Sequence, residues 1–434
     1  MKTCIYTNTW YSSALLIFLA MATQFTATAQ GKRITIIKGG DNGKYVTQQF
    51  LGCRPGDTLV IPAANNPYTY IAAEHLHGTK EKPIVIINGG GQVKLQAGFA
   101  FYNCTHVKLT GTGSKDKYGF RIEHPKGEGP GVDINKRSAD IEVCYLDICK
   151  KTYGFWVKQE GSCADSLQAP NWVIDNISIH DNRIVNMRQE GMYLGSTDPN
   201  GLRNVSCNSA IIHPRPLRLG NIRVYNNIVD STERSGIQLS CAAFGNNEIY
   251  GNRVTNAGWE LSDVQGNGIS LGGYTHAHVY NNYIKNTFAL GILVLGSGYI
   301  VVDNNTIDSS GYLAGHVTPG MASIMVDTRT TSPVDSSRLL IHDNKLGLST
   351  DANIHFYKTV NSYSKDNIIY NNTGSKKMAP GIYWKEHPTR GKLMSSEASM
   401  IPPVRKRYLA AAAVLLALLA AGFVVLRRRR ARIA

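Results

Sequence analysis

The stretch "NIRVYNNIVDSTERSGIQL", residues 221–239, decides the fold because its pattern returns along the chain. It recurs as "HAHVYNNYIKNTFALGILVL" from His276 and, more loosely, as "NISIHDNRIVNMRQEGMYL" from Asn176. In each copy, apolar and polar residues alternate up to an Asn pair or its equivalent, and a Gly followed by apolar alternation comes later. Alternation with a period of two predicts a β-strand rather than a helix.

The spacing of the copies predicts an all-β solenoid. Short steps between copies are about 25 residues, and longer steps contain an inserted loop. A propeller blade would need about 40 residues and four strands, and helical repeats would need a period of about 3.6 residues, which the variable stretches lack. A parallel β-helix needs only short strands, stacked about 4.8 Å apart with equivalent residues in register. We therefore predict a parallel β-helix.

The second Asn of each copy is predicted to be structural. Asn readily adopts the left-handed backbone conformation that a sharp corner requires. Identical Asn side chains on stacked coils can also hydrogen-bond in a ladder. We therefore expect the second Asn to supply both the corner and the ladder. The predicted Asn ladder consists of Asn182, Asn227, Asn252, Asn282, Asn305, Asn344 and Asn372.

The "V-Y-N-N-x-I … G-I-x-L" units resemble the right-handed parallel β-helix repeats of pectate-lyase-like proteins. The resemblance covers residues 140–374 clearly, and "GDTLVIP" from Gly56 is similar to the opening coil of such domains. It implies an all-β, right-handed parallel β-helix domain over residues 30–374. It also implies a protein that acts on or binds polysaccharide, although this repeat does not specify an activity.

The residue before each Asn pair is predicted to point outward, because the apolar residues of the strand point inward. Tyr225, Tyr250 and Tyr280 would then form an aromatic strip on successive coils, suited to binding the apolar faces of sugars. The alternative is that these rings simply pack on one another. The full column is His180, Tyr225, Tyr250, Tyr280, Asp303, His342 and Tyr370.

A second outward column lies on the strands that follow the repeated Gly of each unit, and it outlines a candidate cleft. Lys158 faces the same way as this column, and Glu190 and Arg234 precede its strands. Two long insertions, beginning at Gln159 and Ser196, leave this sheet in neighbouring coils, and long loops on a rigid scaffold often carry function. The column reads Trp156, Tyr193, Gln238, Ser270 and Leu293.

The resemblance implies two kinds of chemistry for this cleft. Lyases of this fold abstract a proton beside a uronate carboxylate, for which Lys158 or Tyr193 would be the base and Arg234 the carboxylate neutraliser. Trp156 and Gln238 would then bind substrate. Glycoside hydrolysis instead needs two carboxylates, for which Glu190, Glu160 and Asp198 are the nearby options. A non-catalytic glycan-binding or structural cell-envelope protein is the alternative. Convergence of the predicted catalytic residues would favour an enzyme, and scatter would favour the alternative.

No cofactor or metal is predicted. The calcium motif of pectate lyases is similar to "NWVIDN" from Asn171, but the partner acids are absent, so calcium is unsupported. The adjacent aspartates of polygalacturonases and the Asp-Pro-His of alginate epimerases are also missing. These departures leave the activity open.

The two ends of the chain predict export and anchoring. Residues 1–29 combine Lys2, an apolar run and Ala27-Thr28-Ala29, which is typical of a cleaved signal peptide. After a linker at 375–407, the apolar residues 408–426 predict a transmembrane helix, and 427–434 a basic cytoplasmic tail. The tail could also be a sorting signal that is cut and replaced by another anchor. The β-helix is thus expected outside the membrane.

Charge and cysteines restrict the partners. Lys2 and the basic residues from Arg405 onward account for most of the net charge of +15, leaving 37 basic residues against 31 acidic ones. This near balance predicts no nucleic acid and is compatible with an acidic polysaccharide. We expect a monomer. Seven cysteines would remain after cleavage; Cys163 and Cys207 both lie in long insertions, so a disulfide is expected between them, with at least one thiol elsewhere left free.

Overall fold

The computed structural model describes residues 31–35, 44–201, 203–295, 298–327, 338–357, 368–370 and 372–374. The predicted signal peptide, linker, transmembrane helix and basic tail lie outside these residues. Within the described ranges, no helix is both long enough and apolar enough to cross a membrane. Almost all regular structure in these ranges is β-strand.

The chain winds into coils whose strands stack in parallel on three faces. Face 1 contains twelve strands, in spatial order Arg33–Thr35, Thr58–Pro62, Ile84–Gly89, Thr105–Thr110, Ala139–Cys144, Ile177–His180, Arg223–Tyr225, Glu248–Tyr250, Ala277–Tyr280, Tyr299–Asp303, Arg338–His342 and Ile368–Tyr370. Face 2 contains Phe120–Glu123, Leu146–Cys149, Arg183–Met187, Ile228–Thr232, Arg253–Ala257, Tyr283–Thr287, Thr306–Ser310, Lys345–Leu346 and Thr373–Gly374. Face 3 contains Lys44–Thr47, Pro130–Asn135, Tyr153–Val157, Met192–Leu194, Ile237–Ser240, Ile269–Gly272, Ile292–Leu295, Ile324–Asp327 and Ile354–Tyr357.

Two long strands, Tyr68–Glu74 and Val93–Tyr102, run through both face 2 and face 3 and join them in the first coils. The other elements lie at corners or in insertions: the short parallel strands Val173–Asp175, Arg218–Gly220 and Ala242–Phe244, the hairpins Val205–Cys207/Ala210–Ile212 and Tyr312–Leu313/His316–Val317, the helix Gln48–Leu51 and the 3-10 turns Ala63–Asn65 and Asp165–Leu167. The fold is a right-handed parallel β-helix, as predicted. It begins a coil earlier than Gly56, since Arg33–Thr35 already pairs with Thr58–Val60.

The interior is filled by columns of aliphatic side chains. On face 1, an aliphatic residue precedes each residue of the outward column. This aliphatic residue is in register with its equivalent on the next coil. Each such side chain contributes about 1.5–3 kcal/mol by burial, so the columns are the main stabilising element of the domain. The fully buried members are Ile179, Val224, Ile249, Val279, Val302 and Ile341.

The ladder Asn side chains bond coil to coil. The Oδ1 of Asn252 accepts hydrogen bonds from the backbone N–H and the Nδ2 of Asn227, both at 3.0 Å. Its own Nδ2 donates to the Val224 carbonyl at 2.9 Å and to the Asn282 Oδ1 at 3.0 Å. The same contacts connect the series from Asn182 to Asn372, and they satisfy backbone groups that the turn leaves unpaired inside the domain.

The left-handed corner, however, belongs to the first residue of each pair and not to the second. The prediction that the second Asn is the corner is therefore wrong. The physical reason is that the second Asn must point its amide into the buried ladder, whereas the first bends the backbone and faces solvent. The residues with positive φ, between 53° and 64°, are Asp181, Asn226, Gly251, Asn281, Asn304 and Asp343.

The Gly before the middle strands of face 3 is required by close approach of the neighbouring coils, whereas Ser323 and Asn353 take this position in the last two coils. A Cβ added at Gly236 would lie 2.4 Å from Val254 Cγ1 and 2.8 Å from the Gly268 carbonyl oxygen. Both distances are shorter than real carbon contacts allow, so the position excludes any side chain.

The cysteines in the described part of the chain follow expectation. Cys163 and Cys207 form a disulfide, and five others are free and buried, namely Cys53, Cys104, Cys144, Cys149 and Cys241.

Candidate functional site

The outward column of face 3 is assembled by strand register. Asp133 pairs with Trp156, Trp156 with Tyr193, and Tyr193 with Gln238. Because neighbouring parallel strands lie about 4.8 Å apart, these side chains form a continuous surface although they are distant in sequence. All of them are half-buried.

Lys158 lies within this surface, held by two aromatic rings and a carboxylate. Its Nζ is 4.6 Å from the centre of the Trp156 ring and 4.1 Å from that of Tyr193. Its third contact is Glu160 Oε1 at 2.7 Å, and only 4% of the Lys158 side chain is exposed. Trp156 and Tyr193 meet edge to face at 5.0 Å. The aromatic rings and the Glu160 carboxylate together stabilise the buried ammonium, so its charge is not left unpaired.

The two predicted insertions are tied together beside this surface. The disulfide Cys163–Cys207 joins the loop after Val157 to the loop after Leu194. Ser196 Oγ also donates a hydrogen bond to Glu160 Oε2 at 3.1 Å, which connects the second loop to the carboxylate that holds Lys158.

Glu190 lies close enough to both Lys158 and Arg234 to feel their charges. Glu190 is 3% exposed, and its Oε2 has no hydrogen-bond partner. Burial raises the pKa of the Glu190 carboxyl, while the charges of Arg234 and Lys158 act in the opposite direction. Arg234 is bound to Glu260, with Nε 2.6 Å from Oε2. The structure thus brings Lys158, Tyr193, Glu190 and Arg234 into one region, but it already pairs Arg234 with a carboxylate.

Gln238 extends the column beyond Tyr193. Its Nε2 is buried without a hydrogen-bond partner. An unpaired buried amide costs about 1–3 kcal/mol, so this donor is available to a ligand oxygen or a water molecule.

Asp133 and its neighbours are the part of this surface that the sequence reasoning missed. Burial raises the pKa of Asp133 to about 7, against hydrogen bonds from Tyr102 and Asn135 and the charge of Lys136. Tyr102 lies 3.4 Å from the Asp133 carboxylate and 2.9 Å from the Tyr70 hydroxyl. The sequence could have predicted this position of Asp133. The stretch "GVDIN" lies one coil before "GFWVK", and aligning the two strands at their glycines places Asp133 beside Trp156.

The predicted tyrosine strip exists on face 1, but its rings cover one another. Tyr225 and Tyr250 are stacked with centroids 4.9 Å apart and planes 3° apart, and Tyr250 and Tyr280 are 4.8 Å and 8° apart. His180 continues the stack, 4.5 Å from Tyr225. A sugar would need a free ring face, and here the strip presents ring edges and hydroxyls. The geometry therefore favours the packing alternative. The side chain of Tyr370 is outside the described part of the chain.

The sequence model of the family described as "Right handed beta helix region" matches residues 258–387. No curated protein matches the sequence.

Solved structures with a similar chain course include three carbohydrate-active enzymes. The alginate lyase from Paenibacillus sp. str. FPU-7 is 13% identical, with 80% of this chain and 96% of that chain covered and a TM-score of 0.43. The GH136 lacto-N-biosidase from Eubacterium ramulus is 12% identical, with 83% and 71% covered and a TM-score of 0.41. The GH87 alpha-1,3-glucanase from Streptomyces thermodiastaticus strain HF3-3 is 11% identical, with 85% and 67% covered and a TM-score of 0.30.

Proposed function

We propose that the β-helix domain binds an acidic polysaccharide on face 3 and cleaves it by β-elimination. The observation that carries this proposal is the contact of one ammonium group, Lys158 Nζ, with both the Trp156 and Tyr193 rings beside two disulfide-linked loops. Half-buried aromatic rings offer apolar surface to sugar rings, and the cation attracts a uronate carboxylate. The convergence of the four predicted catalytic residues supports an enzyme over a purely structural protein.

Tyr193 is the proposed base. In β-elimination Tyr193 takes the proton from the carbon beside the uronate carboxylate, the bond to the glycosidic oxygen breaks with its electron pair left on that oxygen, and Tyr193 returns the proton to the leaving oxygen. The Lys158 ammonium, 4.1 Å from the centre of the Tyr193 ring, would stabilise the negative charge that develops on the uronate. Lys158 is too deeply buried to reach the substrate itself, so its role is electrostatic.

The raised pKa values of Asp133 and Glu190 favour a second candidate, glycoside hydrolysis. The Asp133 carboxyl, with a pKa of about 7, can keep its proton near neutral pH and act as the general acid of a hydrolase, and burial shifts the pKa of Glu190 in the same direction. Glu160, which is ion-paired with Lys158, is an additional carboxylate on the same face. The two candidates make different products, because only elimination leaves an unsaturated sugar.

The test is incubation of the purified full-length chain with a panel of uronate polysaccharides. Ultraviolet absorbance of an unsaturated product supports elimination, and new reducing ends without that absorbance support hydrolysis. Tyr193→Phe is expected to abolish the unsaturated product and to keep substrate retention in affinity electrophoresis, because only the hydroxyl is lost. Tyr283→Phe, a half-buried tyrosine on face 2, is the matched control and should keep full activity. Retention without any product would establish the glycan-binding alternative instead.

We also propose that the chain is exported and held at the cell envelope by residues 408–426. The Cys163–Cys207 disulfide supports this location, because disulfides persist in oxidising compartments. Protease treatment of intact cells should degrade the β-helix domain if it faces outward. A domain that is recovered with the cytoplasmic fraction in its reduced form would contradict the proposal.

A further inference from the structure

Three chemically different metal ligands meet on face 1, at the head of the aromatic stack. Glu142 and Cys144 lie on the strand Ala139–Cys144, and His180 is the direct register partner of Cys144 on the next coil. In the described part of the chain, one ligand atom from each of the three residues lies within 4.8 Å of the other two. The Glu142 Oε1 to His180 Nε2 distance is 3.1 Å.

We propose that Glu142, Cys144 and His180 form a binding site for a zinc-class divalent transition metal ion. A thiolate, an imidazole and a carboxylate are the three ligand types that Zn²⁺ takes in proteins. Ligand atoms on one tetrahedral Zn²⁺ are about 3.6 Å apart, given metal–ligand bonds of about 2.0–2.3 Å, so small side-chain rotations suffice here. Three protein ligands leave a fourth position for water or a ligand. This inference concerns face 1 and is independent of the function proposed for face 3.

The surroundings of His180 are those of a metal-binding imidazole. Its Nδ1 lies 2.7 Å from Asp181 Oδ2, which fixes the ring and directs Nε2 toward Glu142 and Cys144. A carboxylate on the second ring nitrogen is typical of histidines that bind metals. The Tyr225 ring stacks on the other side at 4.5 Å, so the imidazole is also fixed by packing.

Glu142 connects the site to solvent. Its side chain borders a groove of about 750 Å³ that is also lined by Lys108, Arg223 and Glu248, among others, whereas Cys144 and His180 are buried behind it. Lys108 Nζ, 2.7 Å from Glu142 Oε1, must move aside for a metal to bind. Its side chain is 36% exposed, and a flexible lysine at the surface can do so at low cost.

The test uses Co²⁺ as a spectroscopic probe for the full-length chain with free cysteines reduced under mild conditions that keep the loop disulfide. We expect saturable binding of one ion with a thiolate-to-metal charge-transfer band, and competition by Zn²⁺. Cys144→Ser should abolish the band and weaken binding by at least about tenfold, and Glu142→Gln should weaken it about tenfold while keeping the band.

The matched control is Cys149→Ser, which removes another buried free thiol and should leave both band and affinity unchanged. Unfolding curves check that each variant is folded; should Cys144→Ser not fold, the half-exposed Glu142→Gln carries the test. A wild-type chain without the band, a band that survives in Cys144→Ser, or unchanged affinity in Glu142→Gln would each overturn the proposal.

Discussion

At the scale of single residues, Asn226 and Asn227 are adjacent in the chain but meet opposite requirements. Asn226 is exposed and has a φ of 55°, a conformation that Gly adopts most easily and that Asn tolerates. Asn227 is 1% exposed and has no positive φ; its Nδ2 donates to the Ile179 carbonyl and its Oδ1 accepts from Asn182 Nδ2. In the next coil, Gly251 takes the place of Asn226 and has the same left-handed backbone. The first position therefore needs a backbone conformation and not an amide side chain.

The two positions should therefore respond differently to the same substitution. Asn226→Gly is expected to change the free energy of unfolding by less than about 1 kcal/mol, because Gly fits the left-handed backbone. Asn227→Gly should cost at least about 3 kcal/mol, because it leaves several buried backbone and side-chain groups unpaired and opens a cavity. Urea unfolding of both variants measures the difference. Equal losses would show that the ladder is not the stabilising feature.

Asp133 should make the stability of the domain depend on pH. Its folded pKa of about 7 lies above the ordinary value of 3.8, so the folded state holds this proton more tightly than the unfolded chain does. The stabilisation of the folded state by the protonated Asp133 carboxyl is fully present below about pH 4 and is lost as the pH rises toward about 7. Asp133→Asn should thus stabilise the domain at about pH 8, by an order of 1–2 kcal/mol, and have little effect at about pH 4. Thermal unfolding of the two proteins at both pH values would reveal it; a gain confined to acidic pH would contradict the assigned burial.

Single residues also show what could be predicted from the sequence. The ladder and the outward direction of Trp156, Lys158 and Tyr193 follow from a period of two and a repeated Asn. The neighbours of these residues on adjacent coils could not be predicted, because insertions make the steps between coils unequal. Cys144 and His180, for example, are register partners 36 residues apart, and no fixed repeat length pairs them. The parallel stacking of the Tyr250 ring on its neighbours also could not be predicted from the sequence, since ring orientation depends on packing between coils.

At the scale of elements, the loops after Val157 and Leu194 depart from the regular coil and are held by one covalent link. The disulfide closes a segment with a sequence separation of 44 residues. In the chain-entropy account, a loop of this length gives about 4 kcal/mol of stabilisation, most of it by restricting the unfolded chain. The strands of faces 1 to 3 do not depend on it, because their own hydrogen bonds and aliphatic columns connect every coil.

Replacement of both cysteines by serine should therefore act on the loops first. The double variant is expected to lose up to about 4 kcal/mol of stability and to become sensitive to proteolysis within the two loops, residues 158–172 and 195–217, while the strands of faces 1 to 3 stay protected. Limited proteolysis with mass mapping identifies the cut sites. Cleavage throughout the domain at the same rate would show that the link stabilises the whole β-helix and not the loops.

At the scale of the whole molecule, the β-helix offers two aromatic surfaces with different physical character. On face 1 the tyrosine rings are parallel and cover one another. On face 3 the rings of Tyr153, Trp156 and Tyr193 are tilted or edge to face, and the latter two contact the Lys158 ammonium. Parallel stacking uses the ring faces for stability, whereas the face 3 rings are not stacked in parallel and are half-buried, so part of their surface is exposed beside Lys158.

A matched pair of substitutions separates these roles. Tyr250→Leu is expected to lower the free energy of unfolding by about 1–2 kcal/mol, since it removes two stacking contacts, and to leave retention on acidic polysaccharide gels unchanged. Trp156→Leu should instead weaken retention by about tenfold or more, because it removes the largest apolar surface beside Lys158 and one face of its cation contact. Affinity electrophoresis and urea unfolding of both variants give the two readouts. If Tyr250→Leu abolishes retention and Trp156→Leu does not, the glycan binds the stack on face 1, and the surface assigned here is wrong.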